Sequence, residues 1–109
     1  MKQINISVKL NNKEMPYEYN GEAFANDNII EFTDKDCNYI FDKKVRRLVK
    51  NSHSSNLIID FLEKEIKIIE NNKEYSMKIE VKKYKVKENN IEIIYNIGND
   101  DIEFKIREV

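Results

Sequence analysis

Apolar and polar residues alternate along most of this chain, and a period of two is typical of half-buried β-strands. From Ile4 to Leu10 every second residue is aliphatic and the residues between them are polar. The same alternation returns in three C-terminal segments, 75–81, 91–97 and 102–106. Asn-rich or Gly-containing turn sequences separate the segments, among them Asn11-Asn12 and Gly98-Asn99-Asp100. The C-terminal segments therefore predict a meander of three consecutive strands.

One irregularity interrupts the alternation near the C-terminal end. After Val81 the apolar positions change parity and continue at Tyr84 and Val86. A parity change inside one strand predicts a β-bulge near Lys82-Lys83, because a bulge inserts one extra residue.

The middle of the chain, residues 39–70, has two interpretations. Two sets of apolar residues fit helical faces and would give an α+β fold: Ile58, Phe61, Leu62, Ile66 and Ile69, and Phe41, Val45, Leu48 and Val49. The alternation of Leu57, Ile59 and Phe61, together with abundant β-branched residues, favours strands instead. Glu63-Lys64 and Asn71-Asn72 stand at hairpin spacing.

The strand interpretation predicts an all-β fold, an antiparallel up-and-down barrel of about eight strands in one domain, 1–109. Its α+β alternative places two helices in 39–70. The residues expected to face inward are Ile4, Ile6, Val8, Ile30, Phe32, Ile79, Ile93, Tyr95 and Phe104.

Composition restricts the setting more than the function. The formal net charge is -1, so neither sign of charge attracts nucleic acid or membrane in general. The richness in Asn, Ile and Lys is what an AT-rich genome produces. Cys37 is the only cysteine, and the N-terminus lacks the apolar core of a signal peptide, so we expect a cytoplasmic protein that does not enter a membrane.

No catalytic or metal-binding pattern is found in the sequence. His53 is the only histidine and lies in a polar stretch, which favours an exposed loop residue. The segment Asp34 to Asn38 begins like a calcium loop, but Tyr39 stands where that loop needs glycine and Val45 where it needs glutamate. Phosphate-binding glycine motifs are absent. We therefore expect neither enzyme activity nor a cofactor.

Basic residues form the one candidate site. A cluster of five is predicted as a face for nucleic acid or a protein partner: Lys43, Lys44, Arg46, Arg47 and Lys50. A second set of lysines follows the C-terminal strands: Lys78, Lys82, Lys83, Lys85 and Lys87. Lysine-rich strands also discourage edge pairing, so solvated faces are the preferred interpretation.

The chain resembles the YwiB-like family, small bacterial proteins of unknown function with a calycin-like barrel similar to those of lipocalins and streptavidin. The resemblance lies in the order of three parts: 19–24 before 30–32, then 45–49 leading to Phe61, and the alternating segments 75–81, 91–97 and 102–106. It implies eight antiparallel strands and a β middle segment, and it assigns no catalytic residue.

Three functions follow as hypotheses. The first is a non-enzymatic binding module for a small apolar ligand held in the barrel. The second is a structural or interaction protein that acts through an edge strand or an outer face, for example as a homodimer. The third is weak binding of single-stranded nucleic acid by the cluster of five basic residues, which the balanced net charge disfavours.

Overall fold

The computed structural model is all-β in the residues it describes, 1–11 and 13–109, with the backbone alone for 13–16. The eleven strands are β1 (Lys2–Leu10), β2 (Lys13–Ala25), β3 (Ile29–Asp34), β4 (Cys37–Asp42), β5 (Arg47–Asn51), β6 (Ser55–Asp60), β7 (Glu65–Glu70), β8 (Lys73–Lys78), β9 (Glu80–Lys87), β10 (Asn90–Ile97) and β11 (Asp100–Glu108). In this part of the chain no helix has the length and apolar character needed to cross a membrane.

The predicted fold class, an all-β antiparallel up-and-down barrel, is confirmed. The hydrogen-bonded order of the strands is β8-β7-β6-β5-β4-β3-β2-β1-β11-β10-β9, so most neighbours in the sheet are also neighbours in sequence. The described residues form eleven strands, where about eight were expected. The expected number of strands was too small, because tight turns such as Lys35-Asp36 divide the middle of the chain into strands of five or six residues. Residues 39–70 are strands and turns throughout, so the helical alternative is wrong.

The first of two compact units comprises 1–22 and 79–109. In it, β1 pairs with β11, β11 with β10, and β10 with β9, all antiparallel. One face is apolar, and its buried residues are Ile4, Ile6, Ile79, Ile91, Ile93, Tyr95, Phe104 and Ile106. The other face carries the intervening polar and charged residues.

The predicted bulge is present in β9. Ile94 pairs with Lys83, whereas the next residue, Tyr95, pairs with Val81, so Lys82 is the extra residue. The bulge returns the apolar residues of β9 to the buried side, because Tyr84 and Val86 lie opposite Ile93 and Ile91. The parity change in the sequence is therefore absorbed by one residue.

The second unit comprises 23–78, a meander from the end of β2 to β8. Register aligns its core side chains in a row across the strands, which we call the inner row: Ala25, Ile30, Phe41, Leu48, Ile59, Ile66 and Met77. Phe41 is fully buried and Ile30 is 1% exposed. The row ends at β8, where Met77 is 44% exposed. The single domain 1–109 stays a prediction beside this division into units.

Two types of turn each occur twice in the second unit. Lys35-Asp36 and Asn71-Asn72 have positive φ at both residues, as two-residue hairpin turns require. The β4–β5 and β6–β7 loops instead begin with an aspartate that accepts two backbone N–H bonds, and each ends on a residue at positive φ, Arg46 or Lys64. In the first unit Asn11 has φ +52°, as its predicted turn requires, while Asn12 lies outside the described residues.

The predicted inward residues are confirmed with one difference of degree. Eight of the nine are buried, from Ile4 to Phe104 along the chain, while Val8 is half-buried. Val8 pairs with buried Phe104 and so faces the expected side.

Candidate functional site

The cluster of five basic residues lies on the β4–β5 hairpin, but it does not form one face. Lys43, Lys44 and Arg46 belong to the loop between the strands, and Lys44 and Arg46 are exposed. Arg47 and Lys50 lie on β5 three residues apart, and residues an odd number apart on a strand point to opposite faces. The role of this cluster with nucleic acid or a partner stays a prediction.

Arg47 is held in an ion pair on the outer side of the second unit. Its Nη2 donates to Oδ2 of Asp60 at 3.1 Å, and in register it lies between Asp42 and Asp60. Burial would raise the pKa of Asp60, but the amide of Glu63 and the Arg47 guanidinium outweigh it and hold the pKa of that carboxyl below its usual value. Arg47 is therefore already matched by acidic neighbours.

Lys50 lies on the opposite, apolar side of the second unit. Next to the inner row, register forms another row, which we call the ligand row: Phe32, Tyr39, Lys50, Leu57, Ile68 and Tyr75. Burial decreases along the ligand row: Phe32 is 6% exposed, the middle residues are half-buried and Tyr75 is 53% exposed. A cation therefore stands in the middle of a partly open apolar surface.

Aromatic contacts fix the start of the ligand row. The rings of Phe32 and Tyr39 stack with their centroids 4.7 Å apart and 7° between their planes. Lys50 Nζ lies 5.7 Å from the Tyr39 ring centroid, within the range of a cation–π contact. In the described part of the chain Lys50 has no hydrogen bond or ion pair with a carboxylate.

The outer face of the second unit carries an aliphatic row as well. Ile40, Val49 and Ile58 are cross-strand neighbours and all are half-buried. Phe24 extends this row beyond Glu31 and is 52% exposed. An apolar strip on the outer side of a sheet is a candidate contact surface for a protein partner.

The five lysines of the second set do not share one environment. Lys78 lies on β8, whose six residues are all exposed. Lys82 pairs with Asp101 at 3.0 Å, and Lys83 pairs with Glu92. Lys85 and Lys87 lie on the polar face of the first unit, opposite Glu92 and Asn90.

The candidate reactive residues have structural positions. His53 is exposed in the loop between β5 and β6, as the sequence predicted. Cys37 is a half-buried free thiol at the start of β4, and Lys35-Asp36 of the calcium-like segment form the β3–β4 turn. Among the described residues no group of three or more His, Cys, Asp or Glu side chains could hold a metal ion.

Sequence reasoning missed the ligand row. It grouped Lys50 with Arg47 by proximity along the chain, although Lys50 shares its parity with Leu48 of the inner row. That parity was the available signal, because it places Lys50 on the apolar face. The neighbours of Lys50 come from β4 and β6, and only the register identifies them.

Comparison with known proteins adds no assignment. Neither the family models, nor the curated proteins, nor the solved structures contain a match to this chain.

Proposed function

We propose that this protein is a non-enzymatic binding module for a small apolar ligand that carries one anionic group. The observation that supports this function is the ligand row, a half-buried apolar strip with Lys50 at its centre. Up-and-down antiparallel barrels commonly hold one small ligand, so the fold class is compatible with this role.

The apolar part of the ligand would cover the partly exposed side chains of the ligand row. Leu57 and Ile68 are half-buried, whereas Ile59 and Ile66 beside them are 5% and 3% exposed. Removing apolar surface from water contributes roughly 25 cal/mol per Å². The less buried row therefore has stabilisation to gain from a ligand, and the tightly packed row does not.

The anionic group would bind Lys50. An ammonium between Tyr39 and Leu57 is partly removed from water, and its Nζ lies over the Tyr39 ring. Charge-assisted hydrogen bonds are about twice as strong as neutral ones, and low surrounding polarity strengthens them further. An apolar acid would satisfy both features of the row, whereas a neutral apolar ligand would leave the charge unmatched.

The same proposal includes the family and the cellular setting. The resemblance to the YwiB-like family supports a ligand-holding barrel without catalytic residues, and the single free cysteine supports a reducing, cytoplasmic location. Both remain proposals beside the fold.

Fluorescent probes of different charge test the function. We expect the anionic probe 8-anilinonaphthalene-1-sulfonate to bind more tightly than the neutral probe N-phenyl-1-naphthylamine. Lys50→Met keeps the apolar stem and removes the charge, so it should weaken the anionic probe about tenfold and leave the neutral probe within about twofold. The matched control is Lys78→Met, an exposed lysine on the outer side of β8 in the same unit.

Equal loss in the two variants would reject Lys50 as the binding group. Failure of both probes to bind the unmodified protein, together with native mass spectrometry that finds no retained small molecule, would reject the ligand function.

A second candidate function is protein–protein contact through the outer face, favoured by the aliphatic row Ile40, Val49 and Ile58. The partner we consider first is a second copy of this chain, because an isologous interface needs only one such strip. Light scattering should then show a dimer that Val49→Lys converts to a monomer and Lys78→Met does not. A monomer at every concentration would reject this candidate.

A further inference from the structure

A groove of about 420 Å³ crosses the polar face of the first unit. We call it the basic groove; its charged lining consists of Lys85, Lys87, Glu92, Lys105 and Arg107. Ile91 and Ile106 also border it, but alternation turns their side chains to the buried face. The groove belongs to one unit and is separate from the ligand row.

Register builds the groove from four strands. One row across β9, β10, β11 and β1 is Lys87, Asn90, Arg107 and Asn5, and the next is Lys85, Glu92, Lys105 and Ser7. Neighbouring strands lie about 4.8 Å apart, so Lys87 and Arg107 are separated by roughly 10 Å across the groove. Lys85 and Lys87 are roughly 7 Å apart along β9. Cations thus stand on two sides of one concave surface.

The charges of the groove do not cancel. Among the described residues, four cations and one carboxylate line the groove, although the whole chain has a formal net charge of -1. Glu92 is occupied by Lys83 and Lys105, and Lys105 also pairs with Glu103 at 2.9 Å. Among the described residues, Lys85, Lys87 and Arg107 have no carboxylate within ion-pair distance. Three cations therefore remain available to a bound anion.

Like charges repel inside the groove. The nearby ammonium of Lys87, and after it that of Lys83, lowers the pKa of Lys85 below its usual value. A bound anion would relieve this repulsion, and Asn5, Ser7 and Asn90 would add neutral donors beside the cations.

We propose that the basic groove binds a small, multiply charged phosphate-type anion. An Arg fork and Lys ammoniums match phosphoryl oxygens, and several separated cations favour several negative charges. The volume lies in the usual range for small-ligand sites, about 300 to 1,000 Å³. The described residues that line the groove include no aromatic side chain, so they offer no stacking surface of the kind that single-stranded nucleic acid uses.

Calorimetric titration with inorganic triphosphate tests the groove. At about 0.01 M ionic strength, where the Debye length is about 30 Å, we expect binding that weakens as salt is added. The double variant Lys87→Gln/Arg107→Gln should weaken binding about tenfold or more, because two charge-assisted contacts are lost. The double variant Lys73→Gln/Lys78→Gln makes the same change of charge on exposed β8 and should stay within about twofold.

A variant that should strengthen binding keeps the proposal testable if the double variant folds poorly. Glu92→Gln removes the carboxylate that the described residues place in the groove, and with it the ion pairs of Glu92 with Lys83 and Lys105. We expect it to strengthen triphosphate binding several-fold, by the Coulomb energy of one removed charge.

A labelled single-stranded RNA forms the second arm. Strong RNA binding with no triphosphate binding would overturn the proposal in favour of nucleic acid. Absence of triphosphate binding at low salt, or an equal loss in the β8 control, would also overturn it. The fluorescent probes test the ligand row, which consists of other residues. A failure of probe binding would therefore not affect the outcome of the triphosphate titration.

Discussion

The two units of the molecule use the same antiparallel alternation but treat their second faces differently. In the first unit that face is charged, and its ion pairs connect neighbouring strands, as Glu92 does with Lys83 and Lys105. In the second unit it carries the aliphatic row of Ile40, Val49 and Ile58. Period-two patterning therefore fixes the strands of both units, while the residues on the second face set the kind of partner each unit suits.

The units also differ in connectivity and in their turns. The first unit joins distant segments, since Ile4 pairs with Glu108, whereas the second is a chain of local hairpins. The hairpins of the second unit place Lys64 and five other non-glycine residues at positive φ, while the first unit has Asn11 and Gly98 at such positions. Local pairing lowers the entropy cost of closing each hairpin, which lets the second unit tolerate less favourable turn residues.

Truncation of a core side chain should give the largest loss of unfolding free energy. It also tests whether the two units unfold together or independently. Phe41 is fully buried in the second unit, so Phe41→Ala should cost roughly 3 to 5 kcal/mol of unfolding free energy. If 1–109 is one domain, hydrogen exchange should accelerate in strands of both units. Acceleration confined to 23–78 would contradict the single-domain prediction.

Alkaline pH tests the first unit alone. Burial raises the pKa of Tyr95 to about 12, above its ordinary value of 10.0. The folded state holds the Tyr95 proton more tightly than the unfolded state does. The contribution of Tyr95 to the unfolding free energy is therefore fully present below pH 10 and is lost between about pH 10 and 12. The slope contributed by this group is at most about 1.4 kcal/mol per pH unit.

Urea unfolding at several pH values would measure the effect, with Tyr95→Phe as the control because it removes the titrating hydroxyl. The variant should lose less stability between pH 9 and about pH 11.5 than the unmodified protein. Parallel curves for the two proteins would contradict the assignment to Tyr95.

The aspartates that begin two loops of the second unit provide a smaller effect. Asp60→Ala removes the acceptor for the amides of Leu62 and Glu63 and the partner of Arg47, so we expect a loss of about 1 to 2 kcal/mol at pH 7. The lowered pKa of Asp60 means that its contribution is present above the ordinary carboxyl pKa of about 4 and is lost as pH falls through the lower folded value.

Asp42→Ala should cost less, because that carboxylate accepts the backbone amides of Lys44 and Val45, whereas Asp60 also pairs with Arg47. Asp27→Ala, an exposed residue of the β2–β3 turn, is the matched control. Denaturant unfolding that ranks Asp27 above Asp60 would reject the capping explanation.

Turn substitution should give the smallest effect, and it would stabilise the protein. Lys64 has φ +60°, where a side chain is strained, so Lys64→Gly should raise the unfolding free energy by about 0.5 to 1 kcal/mol. Asn72→Gly should add less, because asparagine tolerates this conformation. Thermal unfolding that shows a larger gain for Asn72→Gly would contradict this ranking.

The sequence predicted the fold more completely than it predicted the candidate sites. Alternation located the strands, and its parity change located the bulge at Lys82, because both are properties of adjacent residues. Proximity in sequence then misled the grouping of charges, since Arg47 and Lys50 lie on opposite faces of β5. The Lys85 and Lys87 side of the groove was visible as a lysine run, but the Arg107 side was not.

By itself the sequence determined the strands outside residues 39–70, which side the nine predicted inward residues face, and several turns, because these follow from local periodicity and from which residues tolerate positive φ. Only the tertiary structure decided the strand register, and register places Lys50 between Tyr39 and Leu57 and brings Arg107 opposite Asn5 and Asn90. The physical reason is that a strand specifies which face a side chain occupies, whereas its cross-strand neighbours depend on hydrogen bonds to segments elsewhere in the chain.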